Sequence, residues 1–477
     1  MEVKTEYPAA DELVMAGPVG CTDVVTNDDY RHLAQGLPPE IARLKAAGRL
    51  KEACAACDRA LASDPEPAFA ACLRAERHRM GRLARQFCVT RAQALSLIRA
   101  EWPNFTEDML DELIARNRID WRYVEGEQRF LDNFLDSLRK YPNEVPGLLP
   151  DAPDDTAARD AMLEQMHKSG TAAYDITLRA TIEVPGALPG ETVHAWLPLP
   201  AACAQQSAIE VLEATPGVEI APETALARTA FWSSSEKRKF SVTYRYRSSA
   251  TYFDLSSAGA AACAEASDAA SFDADDLAED APHIMFTPYV RAVTEQVVAQ
   301  ATTPLERARA IYEFITGTVD YRFQPAYAQL DAIADSCLKS RRGDCGVFAL
   351  TFITMCRCAG IPARWQSGLY VSPDYVGPHD WAQFYVDGLG WRWADCSFGS
   401  SARRLGEEKR RQHYFGNLDP WRMVANGRFE AELTPPCDGV RWDPFDNQMG
   451  EASVAGRGCD DNEMHRTIEL VEIRALQ

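Results

Sequence analysis

Three side chains have the types and the order that nucleophilic catalysis at a carbonyl group requires. Cys345, His379 and Asp395 follow one another at separations of 34 and 16 residues. A cysteine nucleophile needs a base to take its proton, and the base needs an acceptor that fixes its tautomer and stabilises its charged form. The three residues fill these roles in order. Because a lone cysteine is more often a buried core thiol, this hypothesis depends on the elements that position it.

The residues after Cys345 predict a buried helix whose first turn carries the thiol. Apolar residues fill the stretch from Val347 to Met355, and Gly360 with Pro362 ends the helix. Asp344 is a suitable N-cap. Free N–H groups and the positive end of the helix dipole favour a thiolate in a first turn, so the sequence predicts an activated cysteine.

Three strands are predicted after this helix, over residues 363–371, 379–386 and 391–395. The glycines between Asp387 and Gly390 favour a tight hairpin between the last two strands. Alternation places His379 on one face of its strand with Trp381, and Asp395 on one face of the partner strand. The two residues lie near the same open end but a few positions out of register, so a bulge or a splayed end is expected there.

The blocks of this region resemble the transglutaminase-like superfamily of papain-like enzymes, in the form of a bacterial-type multidomain member. They are G-D-C-G before an apolar helix, A-G-I-P-A-R, H-x-W-x-x-x-Y-V-D-G, and an aromatic-rich strand that ends on Asp, all within about residues 283 to 430. The resemblance implies that Cys345 is the nucleophile, His379 the general base and Asp395 the residue that orients it. The chain departs from many members at Cys396, where they have Pro.

The oxyanion donors are only partly indicated by the sequence. The backbone N–H of Cys345 is one candidate, and Tyr321 and Trp381 are side-chain candidates. This chemistry requires no metal ion and no organic cofactor, and the expected partner is a peptide or protein amide substrate.

Composition limits the class of protein. The chain has 477 residues, 46% of them hydrophobic, which is sufficient for two to four globular domains. A formal net charge of −20 argues against sequence-independent binding to nucleic acid or to anionic membranes. The N-terminus has no basic and apolar export signal, so a cytoplasmic location and mostly reduced cysteines are expected.

Periodicity predicts an α+β protein with three folded parts. Helical stripes dominate the first part, and strict alternation begins near Tyr174. The closing segment TIELVEIRAL is expected to add an edge strand to the catalytic core. The predicted layout is a helical domain (1–142), a linker (143–170), a β-sandwich (171–255), an acidic flexible loop (256–282) and a papain-like, transglutaminase-like catalytic domain (283–477). The acidic loop is interpreted as a solvated insertion, with an active-site lid as the alternative.

Two further patterns are interpreted as structural. Cys54 and Cys57 lie in an alanine-rich helical context without two more ligands at a zinc-finger spacing, so they are expected to be buried thiols. The block FGNLDPWR follows the candidate triad, and its Asn417, Asp419 and Arg422 are expected to support the fold.

Three functions remain open from the sequence. The first is a cysteine enzyme that cleaves or transfers acyl groups of amides. Hydrolysis is favoured over transfer, because a dry acceptor tunnel is a specialised feature. The second is a catalytically silent binding module with the same fold. The third is a protein-interaction scaffold whose enzyme-like core regulates a partner.

Overall fold

The structure is a computed structural model that describes residues 25–141, 156–255 and 272–476. By its internal contacts the chain divides into two compact units. The first contains Met1–Asp155 and the short segment Arg322–Leu330, and the second contains Thr156–Tyr321 and Asp331–Gln477. Both helices and β-sheets are present, which confirms the predicted α+β fold class.

The first unit is mainly helical in its described part. Its helices are α1 (Pro39–Ala46), α2 (Leu50–Leu61), α3 (Pro67–Gln86), α4 (Arg91–Glu101), α5 (Glu107–Ala115) and α6 (Phe134–Lys140). The sequence analysis did not predict its small antiparallel sheet, which consists of β1 (Val89–Thr90), β2 (Trp121–Val124) and β3 (Glu127–Phe130). Glu125 and Gly126, both with positive φ, form the two-residue turn that a tight β2–β3 hairpin needs.

Helix α2 contains both cysteines of the Cys54 and Cys57 pair. Both thiols are buried, and burial raises the pKa of each to about 12. In the described ranges, no group of three or more His, Cys, Asp or Glu side chains is placed to hold a metal ion. The pair therefore has the properties of the small buried thiols that were predicted.

The second unit contains a β-sandwich built from both ends of its sequence. Its strands are β4 (Thr171–Glu183), β5 (Val193–Pro198), β6 (Gln206–Ala214), β7 (Glu219–Ile220), β8 (Thr229–Ser234), β9 (Lys239–Thr251), β17 (Glu451–Val454), β18 (Arg457–Gly458) and β19 (His465–Ala475). They form two sheets, in the orders β18-β17-β5-β8-β7 and β19-β4-β9-β6. Alternate residues of β4, from Ile176 to Ile182, are fully buried between the sheets, as their period of two predicts.

Two expectations about the layout are corrected by this arrangement. The closing strand β19 pairs with β4 of the sandwich and does not extend the catalytic sheet. Residues of the predicted linker form helix α7 (Ala157–Ser169), whose Met162 and Met166 are buried. Residues 143–155 of that linker, together with residues 256–271 of the predicted acidic loop, lie outside the described residues.

The remaining elements of the second unit carry the candidate site. The strands are β10 (Asp320–Tyr321), β11 (Arg342–Gly343), β12 (Ala363–Ser372), β13 (Tyr375–Val386), β14 (Gly390–Ala394), β15 (Phe415–Gly416) and β16 (Arg422–Asn426). The helices are α8 (Pro288–Val298), α9 (Pro304–Thr318), α10 (Ile333–Ser340), α11 (Cys345–Cys358), α12 (Cys396–Arg404) and α13 (Glu408–His413). Five of these strands form one antiparallel sheet, in the order β15-β14-β13-β12-β16.

Gly368 lies at the junction of three strands in this sheet. This residue of β12 pairs with His379 of β13 on one side and with Val424 of β16 on the other. The register between β12 and β16 shifts between Ser367 and Gly368. A Cβ at this position would lie 2.0 Å from the carbonyl oxygen of Met423. Because backbone atoms cannot rotate away as a side chain can, glycine is required for β16 to approach β12 this closely.

Substitution Gly368→Ala is expected to lower the free energy of unfolding by roughly 1–3 kcal/mol, the usual cost of overpacking. Urea denaturation measures the change. The matched control is Gly186→Ala, because a Cβ there meets no atom within 4 Å. Equal stability of the two variants would contradict the close packing of β12 against β16.

Candidate active site

Cys345 is the first residue of the buried helix α11. Asp344 caps the helix, because its Oδ1 accepts a hydrogen bond from the Val347 N–H at 3.3 Å. Residues from Gly346 to Cys356 are all buried, whereas Cys345 is only partly buried. The predicted capped helix with Cys345 in its first turn is confirmed.

Tyr321 lies close to the start of this helix. It belongs to β10, which pairs in parallel with β11, and its register partner is Gly343, two residues before Cys345. The ring is buried and stacks on Phe348 with the ring centroids 6.4 Å apart. Donation from Tyr321 to a substrate oxygen stays a prediction.

His379 and Asp395 meet at the open end of the β13–β14 hairpin. The Nε2 atom of His379 lies 2.7 Å from Oδ2 of Asp395, and both side chains are buried. The ladder is regular from Val386–Gly390 to Ala382–Ala394. Asp395 thus follows directly after the ladder and reaches His379 as a diagonal neighbour on the same face. Of the two expected irregularities, the contact needs no bulge and occurs where the two strands separate.

The carboxylate of Asp395 is fully buried and accepts four hydrogen bonds. Besides His379, the donors are Ser397 Oγ at 3.1 Å, the Phe398 N–H at 2.9 Å and Arg422 Nη1 at 2.8 Å. Burial by itself raises the pKa of a carboxyl group, but His379 and Arg422 outweigh it and hold the pKa of Asp395 well below its usual range. Asp395 is therefore ionised throughout the neutral range.

Arg422 connects Asp395 to a second buried carboxylate. Its Nη2 donates to Asp419 Oδ2 at 2.7 Å, while its Nη1 donates to Asp395. The guanidinium also lies 4.5 Å from the ring centroid of Phe398 and 5.2 Å from that of Tyr370. Arg422 therefore contacts Asp395 directly, and Asp419 is connected to it through Arg422. The sequence analysis treated both residues only as structural.

Trp381 forms part of the wall beside His379, with the ring centroids 6.0 Å apart. Its indole N–H donates to Gln366 Oε1 at 2.9 Å, and the same oxygen accepts from Trp393 and Gln205. The indole donor is therefore already used within the protein. In this arrangement Trp381 packs against the candidate base and does not offer its N–H to a substrate.

Asp380 is a neighbour of the thiol that sequence reasoning missed. Burial raises the pKa of Asp380, which follows His379 in β13, well above its usual range, and an interaction with the Cys345 thiol partly offsets that rise. The β14 ladder ends at Ala382, and the edge of β13 is thus not covered by β14 at this point. Only the position of Asp380 next to the candidate base could have drawn attention to it.

Comparisons with known proteins identify the central segment. Residues 291–396, which include Cys345, His379 and Asp395, match the family model of the Transglutaminase-like superfamily. A candidate cysteine protease from Cytophaga hutchinsonii is similar at 16% identity and a TM-score of 0.39, over 63% of this chain and 91% of that chain. The periplasmic domain of TgpA from Pseudomonas aeruginosa is similar at 16% identity and a TM-score of 0.26, over 52% and 94% respectively. No curated protein matches the chain.

The segment 291–396 is a transglutaminase-like core, as the motif blocks predicted. It extends from helix α8 to the first residue of α12. The remaining described residues of the second unit include the sandwich, helices α7 and α13, the rest of α12, and strands β15 and β16 of the catalytic sheet. Of the helices in the described residues, none is long and apolar enough to cross a membrane.

Substitution Arg422→Ala is expected to lower the free energy of unfolding by roughly 3–5 kcal/mol, because it leaves Asp395 and Asp419 buried without their cation. Urea denaturation checks this expectation. Arg428→Ala is the control, since that exposed arginine pairs with Asp275 at 3.6 Å and its loss is expected to change stability by less than about 1 kcal/mol. A similar small effect for both variants would show that Arg422 is dispensable.

Substitution Asp395→Asn preserves the side-chain shape but is expected to lower the free energy of unfolding by at least about 2 kcal/mol. Both carboxylate oxygens accept hydrogen bonds, so the amide NH₂ faces a donor in either orientation. Calorimetric melting is compared with Asp374→Asn, which makes the same change in an exposed turn. If Asp395→Asn were as stable as wild type, the four hydrogen bonds to this side chain would not require its negative charge.

Proposed function

We propose that the protein is a cysteine enzyme that cleaves amide bonds of peptide or protein substrates through a thioester on Cys345. The observation that supports it most directly is the buried 2.7 Å hydrogen bond between His379 Nε2 and Asp395 Oδ2. The first-turn position of Cys345 in α11 supplies the thiol, and its transglutaminase-like core belongs to a superfamily with this chemistry.

The tautomer of His379 follows from its bond to Asp395. A carboxylate can only accept, so Nε2 carries a hydrogen and Nδ1 is the nitrogen that accepts the thiol proton. The sulfur of Cys345 then attacks the amide carbonyl carbon. Collapse of the tetrahedral intermediate breaks the C–N bond, the amine leaves with the proton from His379, and the acyl group remains on sulfur as a thioester.

Water completes the reaction in the proposed hydrolysis. His379 Nδ1 takes a proton from water, the hydroxide equivalent attacks the thioester carbonyl, and the carboxylic acid leaves as the thiol is restored. A primary amine in place of water would give acyl transfer by the same steps. We favour hydrolysis because transfer additionally requires that water be kept away from the thioester.

Asp395 acts mainly by orientation in this mechanism. Arg422 already neutralises much of its charge at 2.8 Å, which reduces the attraction between Asp395 and a protonated His379. The short hydrogen bond still holds the ring plane and its tautomer. Arg422 is therefore proposed as a positioning residue that keeps Asp395 in place.

The negative charge of the tetrahedral intermediate needs donors. Backbone N–H groups in the first turn of a helix have no acceptor within the helix, so we propose that the Cys345 N–H stabilises this charge. We propose the Tyr321 hydroxyl as the second donor, because β10 holds this residue beside Gly343.

Substitution Cys345→Ala is expected to abolish turnover of amide substrates while the melting temperature stays within a few degrees of wild type. Activity is measured with a fluorogenic peptide library, and the thioester is trapped and identified by mass spectrometry on the Cys345 peptide. Cys358→Ala, at the other end of the same helix, is the matched control and should keep activity. Retained turnover in Cys345→Ala would refute the proposal.

Experiments on the wild-type protein and the Cys345→Ala variant also test the other two functions. A silent binding module would leave Cys345 unreactive toward a thiol alkylator at neutral pH. A regulatory scaffold would retain a partner equally well with and without the Cys345→Ala change. Release of free acid, compared with incorporation of a labelled primary amine into the acyl product, separates hydrolysis from transfer.

A further inference from the structure

The loop between β16 and β17, residues 427–450, returns to the candidate base near its end. The side-chain Nε2 of Gln448 donates to the carbonyl oxygen of His379 at 3.1 Å and to Oδ1 of Asp380 at 2.5 Å. Both acceptors belong to β13, in the part of the strand that carries the candidate base. The amide group of Gln448 is therefore fixed against the main chain of His379.

Neighbouring contacts hold this end of the loop in place. The N–H of Asn447 donates to Asn426 Oδ1 at 3.2 Å, and Asn426 Nδ2 in turn donates to Ser367 Oγ of β12 at 3.1 Å. The Gly450 N–H donates to Asn447 Oδ1 at 2.9 Å, which closes a turn around residue 448. The main chain is thus held on both sides of Gln448.

The earlier part of the same loop is held by its own side chains. The buried Arg441 donates to two carbonyl oxygens, from Nη1 to Ala431 at 3.3 Å and from Nη2 to Asp446 at 2.6 Å. The rings of Phe429 and Phe445 are buried and stack with their centroids 5.0 Å apart. Because two separate stretches of the loop are joined in this way, Gln448 extends from a fixed support.

The two hydrogen bonds determine which way the Gln448 amide faces. A carbonyl oxygen can only accept, so the NH₂ group faces His379 and Oε1 points the other way. Gln448 is half-buried, and no group among the described residues donates to its Oε1. Gln448 thus presents a fixed acceptor beside the candidate base.

Strand β14 ends before it reaches the candidate base. The β13–β14 ladder stops at the pair Ala382–Ala394, so β14 does not cover β13 at His379 and Asp380. An extended peptide carries main-chain N–H groups at regular intervals, and each N–H that loses water on binding needs an acceptor. The Oε1 of Gln448 has the chemistry and the position to be such an acceptor.

We propose that Gln448 is a substrate-binding residue whose Oε1 accepts a main-chain N–H of the peptide substrate. This contact holds the peptide main chain beside His379. It requires a secondary amide at one position of the substrate, so proline, which has no N–H, is disfavoured there. The inference rests on the proposed function, since it takes amide cleavage to occur at this site.

The test compares one cleaved peptide with analogues of the same sequence in which one main-chain nitrogen at a time is methylated. The parent peptide is the best substrate that the fluorogenic library gives for wild type. Methylation at one position is expected to lower kcat/KM of wild type by about three- to tenfold, the usual effect of one hydrogen bond. Gln448→Ala should lower kcat/KM of the parent peptide by a similar factor, mainly through KM, and should lose nothing more on that methylated analogue.

Two further variants complete the test. Gln165→Ala, an exposed change on α7, is the control and should match wild type with every peptide. Gln448→Met keeps the length of the side chain and replaces Gln448→Ala if that variant does not fold. A folded Gln448 variant that is as sensitive to every N-methyl group as wild type overturns the inference, because Gln448 then acts only by holding His379. If wild type cleaves no peptide, the proposed function is refuted and the inference falls with it.

Discussion

The fully buried carboxylate of Asp395 is the constraint on which the rest of the site depends. A buried charge is tolerated only when donors replace the water that it loses. Here the donors come from three separate elements: His379 from β13, Ser397 and Phe398 from the start of α12, and Arg422 from β16. This one side chain therefore constrains the register of the β13–β14 hairpin, the start of α12 and the position of β16.

The acids on either side of the candidate base have pKa values that their surroundings shift in opposite directions. Asp395 has His379 and the cation Arg422 as donors and a lowered pKa, whereas the pKa of Asp380 is raised by burial and by the charge of Asp446. Both are buried, so burial alone does not decide the outcome. The identity of the neighbouring group decides it, and such divergence between titrating groups is typical of active sites.

Much of the site could be predicted because its determinants are local. The N-cap at Asp344, the glycine turn after Asp387 and the alternation that places His379 and Asp395 on matching faces all depend on residues within a few positions of one another. The family followed from the same blocks. Of the two expected irregularities, a bulge or a splayed end, the bulge is absent from the β13–β14 ladder, which ends at Ala382–Ala394, and the two residues meet diagonally beyond that end.

Helix α11 with its capped cysteine, the alternating strands of the sandwich and the order of the candidate triad could be predicted from the sequence, since each is encoded in short periods and neighbouring side chains. The return of β19 to the sandwich and the bridge of Arg422 between Asp395 and Asp419 could not be predicted and follow from the packing of distant segments. The physical reason is that strand partners and the environment of a buried charge depend on residues far apart in the chain, which become neighbours only when the sheets pack.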